Sequence, residues 1–393
     1  MELRTLAEPP ASADLLIIGA GVVGAATAYH ASKHGLSSVI LERRGEPASL
    51  TTPKATGGFR LQFDNLEEMT LVAESIEMFH ELERQGFQLG IRQQGYLWCT
   101  TEPEGVERQV RLVEMQRGWG LDGVELLSGD EVRRRFPYIG NEVLQARYRS
   151  GDGFIDPRAL TMSLLSLSGA EVVLECEVER LLVEGGRVTG VATDKGEVSC
   201  GRVVLAAGPF TQPIAATAGL ELPLSTVRRQ KLVYHDVPMV PQDAPMVIDE
   251  ETGAHWRPAN GGAFLLHTDS AEPSSPPADP VEIDESLRER LLNPDSAASV
   301  SRVTPFWSQF HDDDESEWDI VAGQYTMTPD HKPLIGASGV EGLWLNCGYS
   351  GHGIMGSGAC SRLLVDVMIG AIPHSENPLR ADREFVHREI SSI

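Results

Sequence analysis

Gly19, Gly21 and Gly24 stand in the spacing G-x-G-x-x-G, and Glu42 follows 18 residues after the last of them. Glycine at the first position permits a tight turn, and at the second lets a pyrophosphate approach the backbone. At the third it lets a helix pack close to a strand. Phosphates would rest on the helix N-terminus, where free N–H groups and the helix dipole favour anions. The Glu42 carboxylate would accept hydrogen bonds from a ribose 2′-OH and repel a 2′-phosphate. The set reads as a dinucleotide site, the alternative being a glycine-rich turn inside an ordinary α/β domain. Other residues suited to chemistry lie further along. Arg60, after Gly57-Gly58, offers a bidentate fork. Tyr325 precedes a second glycine-crowded stretch, GYSGHG, which holds Tyr349 and His352.

These residues need elements to position them. Leu15–Ile18 is a short apolar run, as expected of a buried parallel strand. A small-residue helix should run from Ala25 to about Lys33, with a second strand at Val39–Leu41. Ala48–Phe63 fits neither period in its first ten residues and reads as a loop closing over a ligand. Leu66–Arg84 carries Met69, Val72, Ile76, Phe79 and Leu82 close to the helical period. Tyr96–Thr100 is expected as a strand, with helices at Gly105–Gly118 and Ser128–Arg135. Asp152–Pro157 turns into a helix at Pro157–Leu167, followed by strands at Glu171–Cys176, Val178–Leu182 and Arg187–Thr193. Val203–Leu205 is a buried strand ending in Ala206-Ala207-Gly208. Leu222–Phe310 is strand-rich, interrupted by the proline-rich loop Glu272–Pro280, with a short helix at Asp284–Leu292. Gly342–Asn346 is a strand, and after GYSGHG a helix should run to about Ile369. No internal repeat is visible.

Composition narrows the field. A chain of 393 residues with 41% hydrophobic residues suggests two domains, or one large domain with an insertion, and no apolar run approaches a membrane span. Met1–Ala13 reads as a short tail without a secretory signal. Five scattered cysteines, never in C-x-x-C, argue for reduced thiols in a cytoplasmic protein. A formal charge of −24 argues against nucleic acid and anionic membranes as partners. His311–Glu317 (HDDDESE) lacks a partner histidine motif and reads as a solvated acidic turn, so no metal is expected.

The first motif alone leaves NAD and FAD open. Three features favour FAD: the ATGGFR loop as a wall for an isoalloxazine ring, the VVLAAG strand end near phosphates and flavin, and the GYSGHG turn. That turn aims a helix N-terminus where negative charge would gather on a reduced flavin. Together DLLIIGAGVVG, KATGGFR, GDGFIDP, VVLAAG, YTMTPDHKPLIG and GYSGHG resemble the D-amino-acid-oxidase-like (DAO) superfamily of FAD oxidoreductases. The resemblance spans nearly the whole chain. It points to the branch of sarcosine oxidases, dimethylglycine dehydrogenases and dye-linked proline dehydrogenase β subunits. It implies an α/β fold: a discontinuous Rossmann-type FAD-binding domain (1–85, 151–212 and 322–393) with an α+β substrate domain (86–150 and 213–321) on a large, mostly antiparallel sheet.

The resemblance also implies roles. Gly19, Gly21, Gly24 and Glu42 would hold the ADP portion, with Val178 facing the adenine, and Val22, Val23 and Arg43 belong to the cofactor site. Thr56, Gly57, Gly58 and Arg60, then Ala206, Ala207 and Gly208, then Gly323, Tyr349, Gly351, His352, Gly353, Ile354 and Met355 would complete the cofactor site. Arg60, Tyr325 and His352 are the catalytic candidates, and Arg60, Tyr325, Tyr349 and Met355 the substrate candidates. Each has a plainer alternative: Arg60 pairing with an acid, His352 capping a helix, the tyrosines packing. Three positions depart from the sarcosine oxidases. Gly323 stands where they carry the cysteine that binds flavin covalently, so FAD is expected to be noncovalent. Met355 stands at their carboxylate-anchoring lysine. Gly261–Ser270 lacks their oxygen-activating lysine, which implies an apolar roof of Phe264, Leu265 and Leu266 and favours a dehydrogenase over an oxidase. The implied activity is oxidation of a C–N bond in a small amine or amino acid by hydride transfer to flavin N5. Electrons would leave to an acceptor or partner subunit; the alternative is a noncatalytic flavin-bound assembly factor.

Overall fold

The computed structural model describes residues 3–386. Met1, Glu2 and residues 387–393, which the expected FAD-binding domain takes in at its two ends, lie outside them. In chain order the first elements are β1 (Arg4–Leu6), β2 (Leu16–Ile18), α1 (Val22–Lys33), β3 (Val39–Leu41), β4 (Gly58–Phe59) and α2 (Leu66–Arg84). Next come β5 (Tyr96–Thr100), α3 (Pro103–Gly118), β6 (Val124–Ser128), α4 (Gly129–Arg135), β7 (Gln145–Arg149), β8 (Gly153–Phe154) and α5 (Pro157–Ser168). They lead to β9 (Glu171–Val173), β10 (Val178–Glu184), β11 (Arg187–Thr193), β12 (Gly196–Ser199), β13 (Val203–Leu205) and α6 (Thr211–Ala216). The rest are β14 (Ser225–Tyr234), β15 (Met246–Asp249), β16 (Ala254–Ala259), β17 (Gly262–His267), α7 (Ser286–Leu292), β18 (Trp318–Met327), β19 (Leu334–Ala337), β20 (Leu343–Cys347) and α8 (Gly353–Met368).

Seven strands form one sheet in the order β1-β9-β3-β2-β13-β20-β19, parallel except for β19. Its centre, β2, β3 and β13, is buried on both faces, which explains the unbroken apolar runs. Leu15, Ile17 and Ile40 pack with α1, α5 and α8. Leu16, Ile18, Val39 and Leu41 pack on the other side against Val178, Leu181, Val191 and Val198 of the three-stranded sheet β10-β11-β12. The alternation of residues between the two faces is the period of two expected of a strand.

Eight strands form a second sheet, β18-β14-β17-β16-β15-β5-β7-β6, antiparallel except where β15 meets β5. One of its faces is covered by an aromatic core of Trp256, Trp307 and Phe310 with Leu287, Leu291 and Leu292 of α7. The other face looks toward the seven-stranded sheet. This is the α/β arrangement expected from the sequence, with two differences in detail. Arg4–Leu6 lies within the expected tail but pairs with β9 as an edge strand. The three strands expected over 171–193 are all present, β9 in the parallel sheet and β10 and β11 in the three-stranded sheet. Residue 322 lies inside β18, which pairs with β14 along its whole length, so the expected domain boundary there cuts a continuous strand.

Helix α1 begins at Val22, three residues before the expected start, because its first turn is built from the glycine motif itself. Gly19 takes φ of +104°, and a Cβ there would lie 2.6 Å from the Ala206 carbonyl oxygen. A Cβ on Gly24 would overlap the Gly19 carbonyl oxygen. Gly24→Ala should force α1 off the sheet, lowering the unfolding free energy by roughly 1–3 kcal/mol. Urea denaturation checks this; an unchanged midpoint would mean that the helix retreats without cost.

Candidate functional site

Two cavities meet between the sheets. The larger, about 550 Å³, is elongated. One end is lined by Glu42, Arg43, Cys176 and Val178, its middle by Gly19, Gly21, Val22 and Ala206–Gly208, and its far end by Tyr325 and Gly348–Ile354. At the first end Glu42 is pinned from both sides: one oxygen accepts the Ala20 amide at 2.8 Å, the other that of Arg44 at 2.9 Å. Burial pushes this carboxyl up against the pull of those amides. Arg43 stacks 3.9 Å over Phe210 and pairs with Asp279. In the middle, Thr52 accepts the first amide of α1 from Val22 at 3.2 Å. At the far end α8 opens at Gly353, its first-turn amides free of intrahelical partners.

The second cavity, about 360 Å³, shares Ala55, Tyr325, Ser350, Gly351 and Ile354 with the first. On its wall runs a polar chain. Glu68 Oε1 lies 3.1 Å from His352 Nδ1, and His352 Nε2 lies 3.4 Å from Arg60 Nη2. Burial pushes the Glu68 carboxyl up, but His352, Asn65 and Arg60 outweigh it and hold it below its ordinary value. An ionised Glu68 only accepts, so His352 donates from Nδ1 and accepts from Arg60 at Nε2. Asn65 caps α2, accepting the Glu68 amide at 2.9 Å and donating to Glu68 Oε2 at 2.6 Å. Arg60 also donates to the Gln62 carbonyl at 3.3 Å and stacks on Phe63 at 4.3 Å. Two guanidiniums approach the Trp98 ring, Arg147 at 4.1 Å and Arg60 at 5.3 Å.

The expected residues divide between the cavities. Gly19, Gly21, Val22, Val23, Glu42, Arg43, Val178, Ala206, Ala207, Gly208, Tyr349 and Gly353 line the first. Thr56, Gly57, Gly58, Arg60, His352 and Met355 line the second. Gly24 lines neither and serves packing. Gly323 lines neither; a Cβ there would meet the Lys54 side chain at 3.5 Å. Tyr349, expected beside substrate, lies outside the second cavity because its hydroxyl is bound 2.5 Å from Asn346 Oδ1. Two cysteines also line the first cavity. Cys176 stands at the Glu42 end, and burial pushes the Cys347 thiol to about 12, far from a thiolate.

The expected apolar roof is corrected by the strand next door. On β17, Phe264 and Leu266 do point the same way, in one small cluster with Val233. Yet β14 lies beside β17 and places Lys231 opposite Leu266. Its Nζ sits 4.1 Å from the Phe264 ring centre and donates to the Ala55 carbonyl at 3.2 Å. Burial first, then nearby Arg257, pushes this ammonium down to about 7. Lys231, like Glu68, escaped the sequence reading. Each becomes visible only when strand register or helix facing is known, although the N-cap pattern Asn65-x-x-Glu68 was a usable local signal.

A family model described as FAD dependent oxidoreductase (DAO) matches residues 14–367. Human mitochondrial dimethylglycine dehydrogenase is 27% identical, over 93% of this chain and 43% of that protein. The chain therefore spans less than half the length of this relative. Sarcosine oxidase subunit beta from an Arthrobacter species is 24% identical, over 94% of this chain and 90% of that one. The crystal structure of L-proline dehydrogenase from P. horikoshii superposes with a TM-score of 0.81 at 23% identity, covering 95% of this chain and 96% of that one. Among the described residues no helix is long and apolar enough to cross a membrane.

Lys231 has a consequence for stability. The unfolded chain holds its proton to about the ordinary 10.5, the folded chain only to about 7. Between those values the unfolded state binds more protons, so stability from this group rises with pH. Lys231→Met should therefore stabilise the protein most at and below pH 7, the gain shrinking toward pH 10.5. Urea denaturation over a pH series checks this; a difference independent of pH would refute it.

Proposed function

The chain belongs to the DAO family of FAD-dependent oxidoreductases, and from that premise we propose that it oxidises a C–N bond of a small amine, N-methyl amino acid or cyclic amino acid. The imine formed would then hydrolyse in water. Its cofactor is FAD. The observation that carries the reading is the shared wall of Ala55, Tyr325, Ser350, Gly351 and Ile354, where a dinucleotide-shaped cavity opens into a chamber sized for a small molecule. The relatives support the substrate class: by name they act on dimethylglycine, sarcosine and proline.

Glu42 would hold the ribose, and Gly19, Gly21 and the start of α1 the pyrophosphate. The start of α8 would face the ring's negative edge. When bound, FAD supplies a two-electron acceptor for hydride from the carbon next to nitrogen. The protein's own task is to bind the amine neutral, orient it and exclude water. Trp98, Leu266, Met327 and Met355 give the chamber its apolar surface. Arg60 is held in place by the Glu68–His352 chain, and Tyr325 stands at the junction of the two cavities.

FAD is held noncovalently. Gly323 has no side chain to offer, and Cys347 is kept a neutral thiol by burial. Electrons leave to an acceptor other than oxygen. A fixed cation would stabilise superoxide, and at the roof beside Phe264 burial pushes the Lys231 ammonium down while its Nζ is engaged by the Ala55 carbonyl.

Acid precipitation of the purified protein should leave the yellow colour in the supernatant; colour in the pellet would defeat noncovalent binding. Anaerobic mixing with N-methyl and cyclic amino acids should bleach the flavin with at least one of them. Reoxidation in air-saturated buffer should then be much slower than turnover with an artificial acceptor. Reoxidation as fast as turnover would make the protein an oxidase. A reducible flavin inert to every amine, with a co-purifying partner, would favour a noncatalytic subunit.

A further inference from the structure

We infer that Arg229, on the roof strand β14, is the group that recognises the substrate's anion, and that the chamber accepts a single free carboxylate. The inference rests on the proposed oxidation of a small amine in this chamber. Four arginine and lysine side chains line it: Arg60, Arg147, Arg229 and Lys332. Three are already matched. Arg60 is tied to His352 and, through it, to Glu68. Arg147 has a carboxylate partner in Glu250 at 3.5 Å and donates to Gln62 at 3.2 Å, although its Nε, too, is buried with none. Lys332 pairs with Glu67.

Arg229 has no such partner. Its one hydrogen bond among the described residues runs from Nη1 to the carbonyl of Arg228, at 3.1 Å, and its Nε is buried with none. The acids nearest in charge, Asp269 and Glu272, are spoken for: Asp269 by Arg290 at 3.5 Å, Glu272 by Arg228 at 2.9 Å. A neighbour on the same wall, His267, repeats the pattern. Its Nε2 is bound to the Thr252 carbonyl at 3.0 Å, while its Nδ1 is buried and unpartnered. Leaving a guanidinium donor buried and unpaired is costly, so the chamber is built for something that completes it.

A carboxylate fits best. It takes two parallel N–H bonds from a guanidinium fork and neutralises the charge. A second carboxylate would find no unmatched arginine or lysine on this wall and would meet Glu68, Glu272 and Asp330, which line the same chamber. An uncharged amine would leave Arg229 as it is. The recognition expected of Arg60 thus passes to Arg229, while Arg60 is a fixed part of the wall.

The test titrates the FAD-loaded protein with 3-methylbutanoate, its isosteric amide and the dicarboxylate 3-methylglutarate, following the flavin absorption spectrum. The carboxylate should bind at least tenfold more tightly than the amide, and the dicarboxylate no more tightly than the monocarboxylate. Arg229→Met should weaken carboxylate binding roughly 10–100-fold and leave the amide unchanged, while Arg229→Lys restores most of the loss. Equal binding of carboxylate and amide to the unmodified protein, which needs no variant to fold, would overturn the inference. So would a methionine variant that binds the carboxylate as before. Tighter binding of the dicarboxylate would overturn the single-charge claim. If carboxylates bind through Arg229 but no amine bleaches the flavin, the anion site stands and the amine reading falls. If amines bleach it with or without a carboxylate and 3-methylbutanoate does not bind, the reverse holds.

Discussion

The molecule depends on backbone meeting backbone at one point. Gly24 presses α1 against the Gly19 carbonyl, and Gly19 in turn lies against Ala206 at the end of β13. The first two lie in one glycine turn and the third far along the chain, and they converge there because none carries a side chain large enough to hold the others off. Without that convergence, the first turn of α1 would not lie beside Ala206–Gly208, and the elongated cavity would lose its floor. Packing and binding are served by the same absence of side chains.

A second organising feature is the way the two sheets are joined. The loop from Ala48 to Phe63 lies along both cavities, and Lys231 on the roof strand donates to the carbonyl of its Ala55. The charged residues around the chamber are mostly matched in pairs. A confined space of about 360 Å³ can thus hold many ionisable groups without a large unbalanced field.

What the sequence made legible was local. The glycine spacing, the buried apolar strands and the start of α8 after GYSGHG are encoded within a dozen residues, and the period of two or of 3.6 reads directly. What escaped depends on register. Lys231 reaches the roof only because β14 lies antiparallel to β17 with residue 231 opposite residue 266. Arg60 stands out in sequence because it follows a glycine loop, but its tie to His352 and, through it, to Glu68 joins residues 284 apart and shows only in the fold. Arg229 stands out only once its neighbours' partners are known. The edge strand β1 was missed because three residues that are exposed or partly so carry no apolar period.

The parallel sheet gathers its strands from residue 4 to residue 347, and β18, in the roof, is made just before the last two. During synthesis the roof can therefore pair β14 with β17 and β16 while the nucleotide sheet still lacks β19 and β20. Those two strands close the sheet only after more than 300 residues have left the ribosome. Such long-range closure is slow and leaves an unpaired edge on β13 until it happens. The interval during which that edge is bare, rather than the stability of the finished sheet, is where this chain is most exposed to aggregation.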